Sequence, residues 1–132
     1  MTELRSYQDE TVIWKVAPGI RNSAGVLVKH LCGNLQANIG AEIGGTGYKR
    51  DRDAEFSAKP EPLEDLLSEI HHTKKTVVKA LENLSEGQLD QTFTKPVSTG
   101  AYYSTRFMFM HLTTHLAYHL GQLTYHRRIM DA

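Results

Sequence analysis

The chain has 132 residues, its 15 Lys and Arg are balanced by 15 Asp and Glu, and its pI is about 7.1. This length fits one domain, residues 1–132, and the absence of net charge excludes a basic field that would attract nucleic acid or an anionic membrane. The single cysteine, Cys32, excludes an internal disulfide framework, and the N-terminus lacks the layout of a signal peptide, so we expect a cytoplasmic protein. No apolar run approaches the roughly 20 residues that span a bilayer, so we expect no membrane association.

The N-terminal half of the sequence predicts one short helix and one long helix. The segment before Trp14, Met1 to Ile13, can form two or three helical turns with Leu4 and Tyr7 as apolar contacts, and a helix this short is marginal in water. A helix of about five turns is predicted after the N-capping residues Asn22 and Ser23. Its apolar residues recur every three or four positions until a glycine offers a stop; they are Leu27, Val28, Leu31, Leu35 and Ile39.

The C-terminal half predicts two long helices. One begins at Pro62, a residue suited to the first helical turn, and its apolar positions repeat up to Ser85. The other runs from about Ser104 to Met130, and its apolar stripe consists of Phe109, Leu112, Leu116, Leu120 and Leu123. Three long helices, one short helix and weak strand signals predict an all-α fold, an up-down-up-down four-helix bundle with a shortened first helix.

Three shorter segments have local interpretations. "GGTG" at 44–47 is interpreted as a flexible turn, because no strand precedes it and no Gly-Lys-Ser/Thr follows it, as a phosphate loop would require. "KRDRD" at 49–53 mixes charges and predicts a solvated loop or a salt-bridged brace against another helix. Ser85 and Gln88 have the spacing of a capping box over a short helical turn.

The stretch "HLTTHLAYHLGQLTYH" holds four of the seven histidines of the chain. On a helix, His111, His115 and His119 lie on one face beside the apolar stripe, and pairs spaced by four residues are typical of helical metal sites. Because three histidines on one straight helix converge poorly, the third ligand should come from another helix. His30 is the best candidate, since it lies on the flank of its own apolar stripe, with Asn34 one turn further on the same side.

Other interpretations of these residues stay open. A histidine beside an apolar stripe is more often a hydrogen-bonded boundary residue than a ligand, and the histidine run is also compatible with a plain polar face. His71 and His72 are interpreted as solvated, and Cys32 as core packing because it lies within an apolar stripe. Four residues near the start of the last helix are candidates for a pocket mouth, although core packing is the commoner role of such residues; they are Tyr102, Tyr103, Phe107 and Met108.

Two motifs resemble the DinB-like superfamily of YfiT-type four-helix bundles. "HLAYHLGQ" at 115–122 is similar to the His-x3-His-x-Gly-Gln motif of the last helix in that superfamily, and "NSAGVLVKHLCGNL" at 22–35 is similar to its second-helix motif with one histidine. "RDRDAEF" at 50–56 resembles the loop of one uncharacterised branch. The resemblance implies that His30, His115 and His119 are the three ligands of a metal ion.

The resemblance also implies a function. Three neutral imidazoles leave a divalent ion with its full charge and with open positions, as in catalytic sites. Members of the superfamily with an assigned activity are bacillithiol- or mycothiol-using S-transferases and isomerases, so the resemblance implies a metal-dependent enzyme that transfers a small-molecule thiol to a small electrophile. Zinc or nickel is the expected metal, with iron or manganese as alternatives. The rival hypotheses are a non-catalytic metal- or ligand-binding stress-response protein and a structural helical bundle.

Five further residues are candidates to surround the metal or line its pocket; they are His111, Tyr118, Gln122, His126 and Asn34. The sequence departs from its relatives at Leu120, where many of them carry a basic residue, and in the short stretch before the matching region, where they have a long first helix. The second departure predicts an uncovered apolar groove. We expect a second copy of the chain to close it, which makes the protein a homodimer.

Overall fold

The computed structural model describes residues 1–131, and six α-helices form in this part of the chain. They are α1 (Thr2–Arg5), α2 (Ala24–Leu35), α3 (Arg52–Phe56), α4 (Leu63–Glu82), α5 (Glu86–Leu89) and α6 (Thr105–Met130). A 3-10 helix at Glu10–Trp14 precedes α2, and a π-helical segment at Gln36–Ala41 extends it. Across the described residues the strand-like pairing is limited to one isolated bridge, so the all-helical prediction is confirmed. None of the helices within 1–131 is both long and apolar enough to cross a membrane.

The helix α2 forms where the capping residues and the apolar periodicity predict it. Ser23 Oγ accepts the backbone N–H of Val26 at 3.3 Å and so caps the first turn. The apolar face of α2 is buried, and the helix continues beyond Leu35 as the wider π-helical turn. Gly25 is required for close packing, because a Cβ at this position would lie 2.6 Å from the ring of Trp14.

The helices α2 and α4 run parallel to each other. Near their starts, Lys29 Nζ lies 2.6 Å from Glu69 Oε2, and further along both helices Gly40 lies against the side chain of Thr76. The predicted up-down-up-down order is therefore wrong, because it would make these consecutive long helices antiparallel. Residues 42–62 connect the two helices. An extended chain of that length reaches about 70 Å, which is more than the roughly 27 Å needed to return along α2 and its extension.

The helix α6 runs antiparallel to α2. His30 on α2 contacts His115 on α6. Ile39, which lies later in the chain on the π-helical extension of α2, packs in one cluster with Leu112, which lies earlier on α6. Ser104 Oγ accepts the backbone N–H of Phe107 and caps the first turn of α6, where the sequence predicts its start. This antiparallel pair brings the histidines of the two helices to the same level.

An apolar groove of about 320 Å³ lies between α4 and α6, with α2 as its floor. Leu116 and Leu120, which the sequence assigns to the core, line this groove and are 40% and 51% exposed. Val78 of α4 also lines it and is 43% exposed. The N-terminal segment contributes Met1 and Leu4 to the lining. Within the described chain, one apolar face is therefore left open, as the sequence analysis expects.

The N-terminal segment consists of two short helical pieces instead of one helix of two or three turns. Its buried apolar residues include Leu4 and Ile13, which pack in the main core cluster. Tyr7 OH lies 2.7 Å from Nδ1 of the buried His126 on α6. The segment is thus attached to α6 by a buried hydrogen bond as well as by apolar contacts.

The loops contain the local structures that the sequence predicts and one that it does not. Gly45 and Gly47 have φ of +63° and +72°, the left-handed region that favours glycine, which confirms the turn in "GGTG". The backbone N–H of Ser85 donates to Gln88 Oε1 at 2.8 Å, which confirms the predicted cap at the start of α5. The short helix α3 was not predicted, and the carboxylate of Asp51 caps it.

Candidate metal centre

Three histidines from two helices converge on one point. His30 comes from α2, and His115 and His119 come from consecutive turns of α6. His115 Nε2 lies 3.2 Å from His30 Nε2 and 3.1 Å from His119 Nε2. In a tetrahedral site with metal–nitrogen bonds of 2.0–2.1 Å, two ligand nitrogens are about 3.3 Å apart. The arrangement is therefore compatible with a divalent metal ion bound by the three residues that the sequence singles out.

Two of the three imidazole rings are held in one tautomer by an acceptor on the far side. His30 Nδ1 donates to Glu55 Oε2 at 3.0 Å, and His119 Nδ1 donates to Gln122 Oε1 at 2.7 Å. Because a neutral imidazole carries a single N–H, each of these rings presents a lone pair on Nε2. Both lone pairs face His115, and this is the tautomer that a metal ligand requires.

His115 cannot satisfy both neighbours with a proton of its own. A proton on His115 Nε2 can be donated to only one of the two facing nitrogens, which leaves the other lone pair without a partner. His115 Nδ1 is buried and has no hydrogen-bond partner among the described residues. A cation between the rings would accept an electron pair from all three nitrogens, so the donor set fits a divalent metal.

The surroundings favour the neutral form of two of these histidines, His115 and His30. Burial, followed by repulsion from the charges of His119 and His30, lowers the pKa of His115 to about 4. Burial also lowers the pKa of His30, against the raising effect of Glu55. Since neutral imidazole is the form that coordinates metals, the site is ready to bind an ion at neutral pH.

The partner of His30 is a buried carboxylate that sequence reasoning missed. Glu55 is 7% exposed, and Arg50 donates to both of its oxygens, from Nε at 2.6 Å and from Nη2 at 2.9 Å. The carboxylate lies against Gly33 of α2, where any Cβ would overlap Glu55 Oε1. The charged segment 49–53 thus forms a salt-bridged brace, which is one of its two predicted interpretations. Within it, Arg50 holds Glu55, the residue that orients the predicted ligand His30. The only sequence signals are a glycine three residues after His30 and a carboxylate near an arginine, and neither is specific.

One family model matches almost the whole chain. The model is described as "Protein of unknown function (DUF1572)" and matches residues 2–132. The chain belongs to the DUF1572 family. DUF1572 is one of the DinB-like families, so the resemblance is confirmed at that level, but the family description assigns no activity. No curated protein matches this DUF1572 chain.

Three of the other candidate residues lie on α6 near the ligands of this DUF1572 chain. Gln122 holds His119, as described above. The Tyr118 ring lies 5.2 Å from the His119 ring in an edge-on arrangement, and 64% of the residue is exposed. His111 is exposed and stacks on Phe107 with 6.5 Å between ring centroids, so it is not one of the three converging rings.

The remaining two candidates have different surroundings. His126 is buried, with Tyr7 OH on Nδ1 and the carbonyl oxygen of Lys15 on Nε2 at 2.8 Å, so both of its nitrogens are occupied by structural contacts. Asn34 follows His30 by one turn of α2, and its Oδ1 is buried without a partner among the described residues. His126 therefore anchors the N-terminal segment, whereas Asn34 keeps a free acceptor.

The residues considered for core packing or a pocket mouth fall into two groups. Cys32 is buried, and burial raises its pKa to about 11, which agrees with core packing and makes it a poor nucleophile. Met108 is also buried. The core interpretation is wrong for the three aromatic residues, which are 40–59% exposed; they are Tyr102, Tyr103 and Phe107.

Proposed function

We propose that this DUF1572 protein is a metal-dependent enzyme that holds one divalent ion at His30, His115 and His119 and transfers a small-molecule thiol to an electrophile. The supporting observation is that three Nε2 atoms face one point while acceptors hold the far nitrogens of two of the rings. Zinc and nickel are the metals proposed first for an all-histidine set, and iron or manganese are the alternatives.

The proposed site suits this chemistry. A bound divalent ion would supply the positive charge that deprotonates a thiol near neutral pH. Glu55 and Gln122 orient two of the ligands, and the neutral imidazoles leave the charge of such an ion uncompensated. In the transfer, the thiol would lose its proton to solvent water, its sulfur would form a bond to the electrophilic carbon, and the leaving group would depart with the electrons of the broken bond. Because Cys32 is buried with a raised pKa, the reacting thiol is an external molecule.

We also propose that the fold is a four-helix bundle of the DinB type, with the N-terminal segment in the place of the first helix. The segment supports this assignment because it packs on both α2 and α6. The parallel direction of α2 and α4 requires a bundle with one long crossover connection in place of the up-down-up-down order.

Metal analysis tests the proposed site. Protein purified without a metal-affinity column should contain about one divalent ion per chain by mass spectrometry of the elements. The variants His30→Ala and His119→Ala should lose it, and the control His72→Ala, which changes an exposed histidine of α4, should keep it. Substoichiometric metal in the wild type, or full occupancy in both ligand variants, would falsify the site and favour the structural bundle.

A conjugation assay separates an enzyme from a non-catalytic binder. The metal-loaded protein is mixed with a model electrophile and, in turn, bacillithiol, mycothiol, glutathione or cysteine, with and without a chelator. We expect conjugation that the chelator abolishes with at least one of these thiols. A metal-loaded protein that is inert with all four would support the alternative, a metal- or ligand-binding stress-response protein.

A further inference from the structure

A second cavity adjoins the histidine site at the start of α2. It has a volume of about 470 Å³, and its lining includes Arg21, Asn22, Leu27, Gln122 and His126. Gln122 is common to the cavity and the histidine site, because its Oε1 accepts the Nδ1–H of His119. Gln122 therefore connects the cavity to His119 of the histidine site.

The helix register places this cavity about one helical turn from the ligands on both of its walls. Leu27 precedes His30 by three residues on α2, and Gln122 follows His119 by three residues on α6. Since α2 and α6 are antiparallel, both steps lead in the same direction, by about 4.5 Å along the helix axes. A small molecule with one end at the histidines can therefore place its other end in the cavity.

The lining of the cavity favours a negatively charged group. Among the described residues that line it there is no Asp or Glu, and Arg21 is one of these residues. Arg21 forms no ion pair with any other residue in 1–131. Gln122 Oε1 accepts from His119, and the NH2 group of the same side chain remains as a donor. Guanidinium and amide donors without a nearby carboxylate are suited to bind a carboxylate.

We propose that this cavity binds the carboxylate of a small thiol whose sulfur lies at the histidine site, with Arg21 and Gln122 as the donors. The proposal rests on the proposed function, since it assigns the substrate class of the same site. It predicts that the protein prefers a thiol with a carboxylate a few bonds from the sulfur over a thiol of the same length without one.

The test uses two probes that share the HS–CH2–CH2 unit, 3-mercaptopropionate and 2-mercaptoethanol. Each is titrated into cobalt-loaded protein, and the change in the visible and near-ultraviolet absorption gives its dissociation constant. We expect 3-mercaptopropionate to bind more tightly to the wild type. In Arg21→Gln this preference should fall by about tenfold, the effect of one charge-assisted hydrogen bond. The control Arg128→Gln, which changes an exposed arginine of α6, should keep the preference.

The two proposals fail in different ways. A protein that takes up no cobalt would contradict the metal site itself. Normal cobalt spectra with no binding of either thiol would contradict the proposed thiol chemistry. Thiol binding with equal affinity for the two probes, or with an unchanged preference in Arg21→Gln, would overturn only the carboxylate cavity. Because the cobalt spectrum reports an intact site in each variant, loss of folding is recognised separately.

Discussion

At the scale of single residues, the candidate centre depends on the partners of the histidines as much as on the histidines themselves. Glu55 and Gln122 decide which nitrogen of His30 and of His119 carries the proton. Partners of this kind orient ligand rings and raise their basicity. The Glu55 carboxylate is in turn held by two hydrogen bonds from Arg50.

Removing the carboxylate should weaken metal binding without removing a ligand. We expect Glu55→Ala to lower the metal affinity by about 10- to 100-fold, because His30 loses the acceptor that fixes its tautomer. Glu55→Gln should lose less, because its amide oxygen can still accept the His30 proton. Competition with a chromophoric chelator measures the affinities.

The matched control for this prediction is Asp53→Ala, which removes an exposed carboxylate from the same short helix. It should bind metal like the wild type. Wild-type affinity in Glu55→Ala would show that the contact with His30 does not support the site.

At the scale of the helices, different histidines of α6 form the candidate site and bind the N-terminal segment. His115 and His119 face α2, whereas His126, near the C-terminal end, fastens the N-terminal segment through Tyr7 and Lys15. Burial, followed by the charge of Glu3, raises the pKa of Tyr7, so its hydroxyl remains a donor to His126. One helix thus joins the candidate site to the chain terminus.

The variant Tyr7→Phe should destabilise the fold while leaving the three converging histidines in place. Loss of the hydroxyl leaves His126 Nδ1 buried without its partner, which costs about 1–3 kcal/mol of the free energy of unfolding. Urea unfolding of the metal-free protein measures this change. Tyr102→Phe, at a residue that is 59% exposed, is the control and should have almost no effect. Equal stability of the two variants would contradict the role assigned to this hydrogen bond.

At the scale of the whole molecule, the groove between α4 and α6 has no cover among the described residues. Leu116 and Leu120 of α6 line this groove and are partly exposed. Between Arg106 and Arg127, α6 carries no Asp, Glu, Lys or Arg. Two such faces can meet without repulsion between like charges, and a helix of this length extends about 39 Å. We propose that a second copy of the chain covers the groove and forms a homodimer.

Sedimentation velocity at micromolar concentration tests the dimer. The wild type should sediment as a dimer, and the double variant Leu116→Glu, Leu120→Glu should sediment as a monomer, because it would bury carboxylates in an apolar contact. Val16→Glu adds one carboxylate at a residue that is 51% exposed and outside the groove, and it should stay dimeric. A wild-type monomer would contradict the proposal.

Local sequence patterns predicted the three long helices and singled out histidines that the structure brings together, because these patterns depend on neighbours in the chain. Periodic apolar residues, capping side chains and the four-residue spacing of His115 and His119 all act within a few turns of one helix. His30 was selected from its place on the flank of α2, together with a family resemblance. The structure does bring it to the other two.

Only the tertiary structure decided the direction of α4, the role of Glu55 and the exposure of Leu116 and Leu120. A 21-residue connection is long enough to reach either end of α2, so periodicity alone leaves the direction of the next helix undetermined. Glu55 becomes a partner of His30 only because α3 packs on α2 at Gly33, and this contact joins residues that no local pattern relates. An apolar stripe shows which face avoids water, but whether that face is covered depends on which other elements reach it.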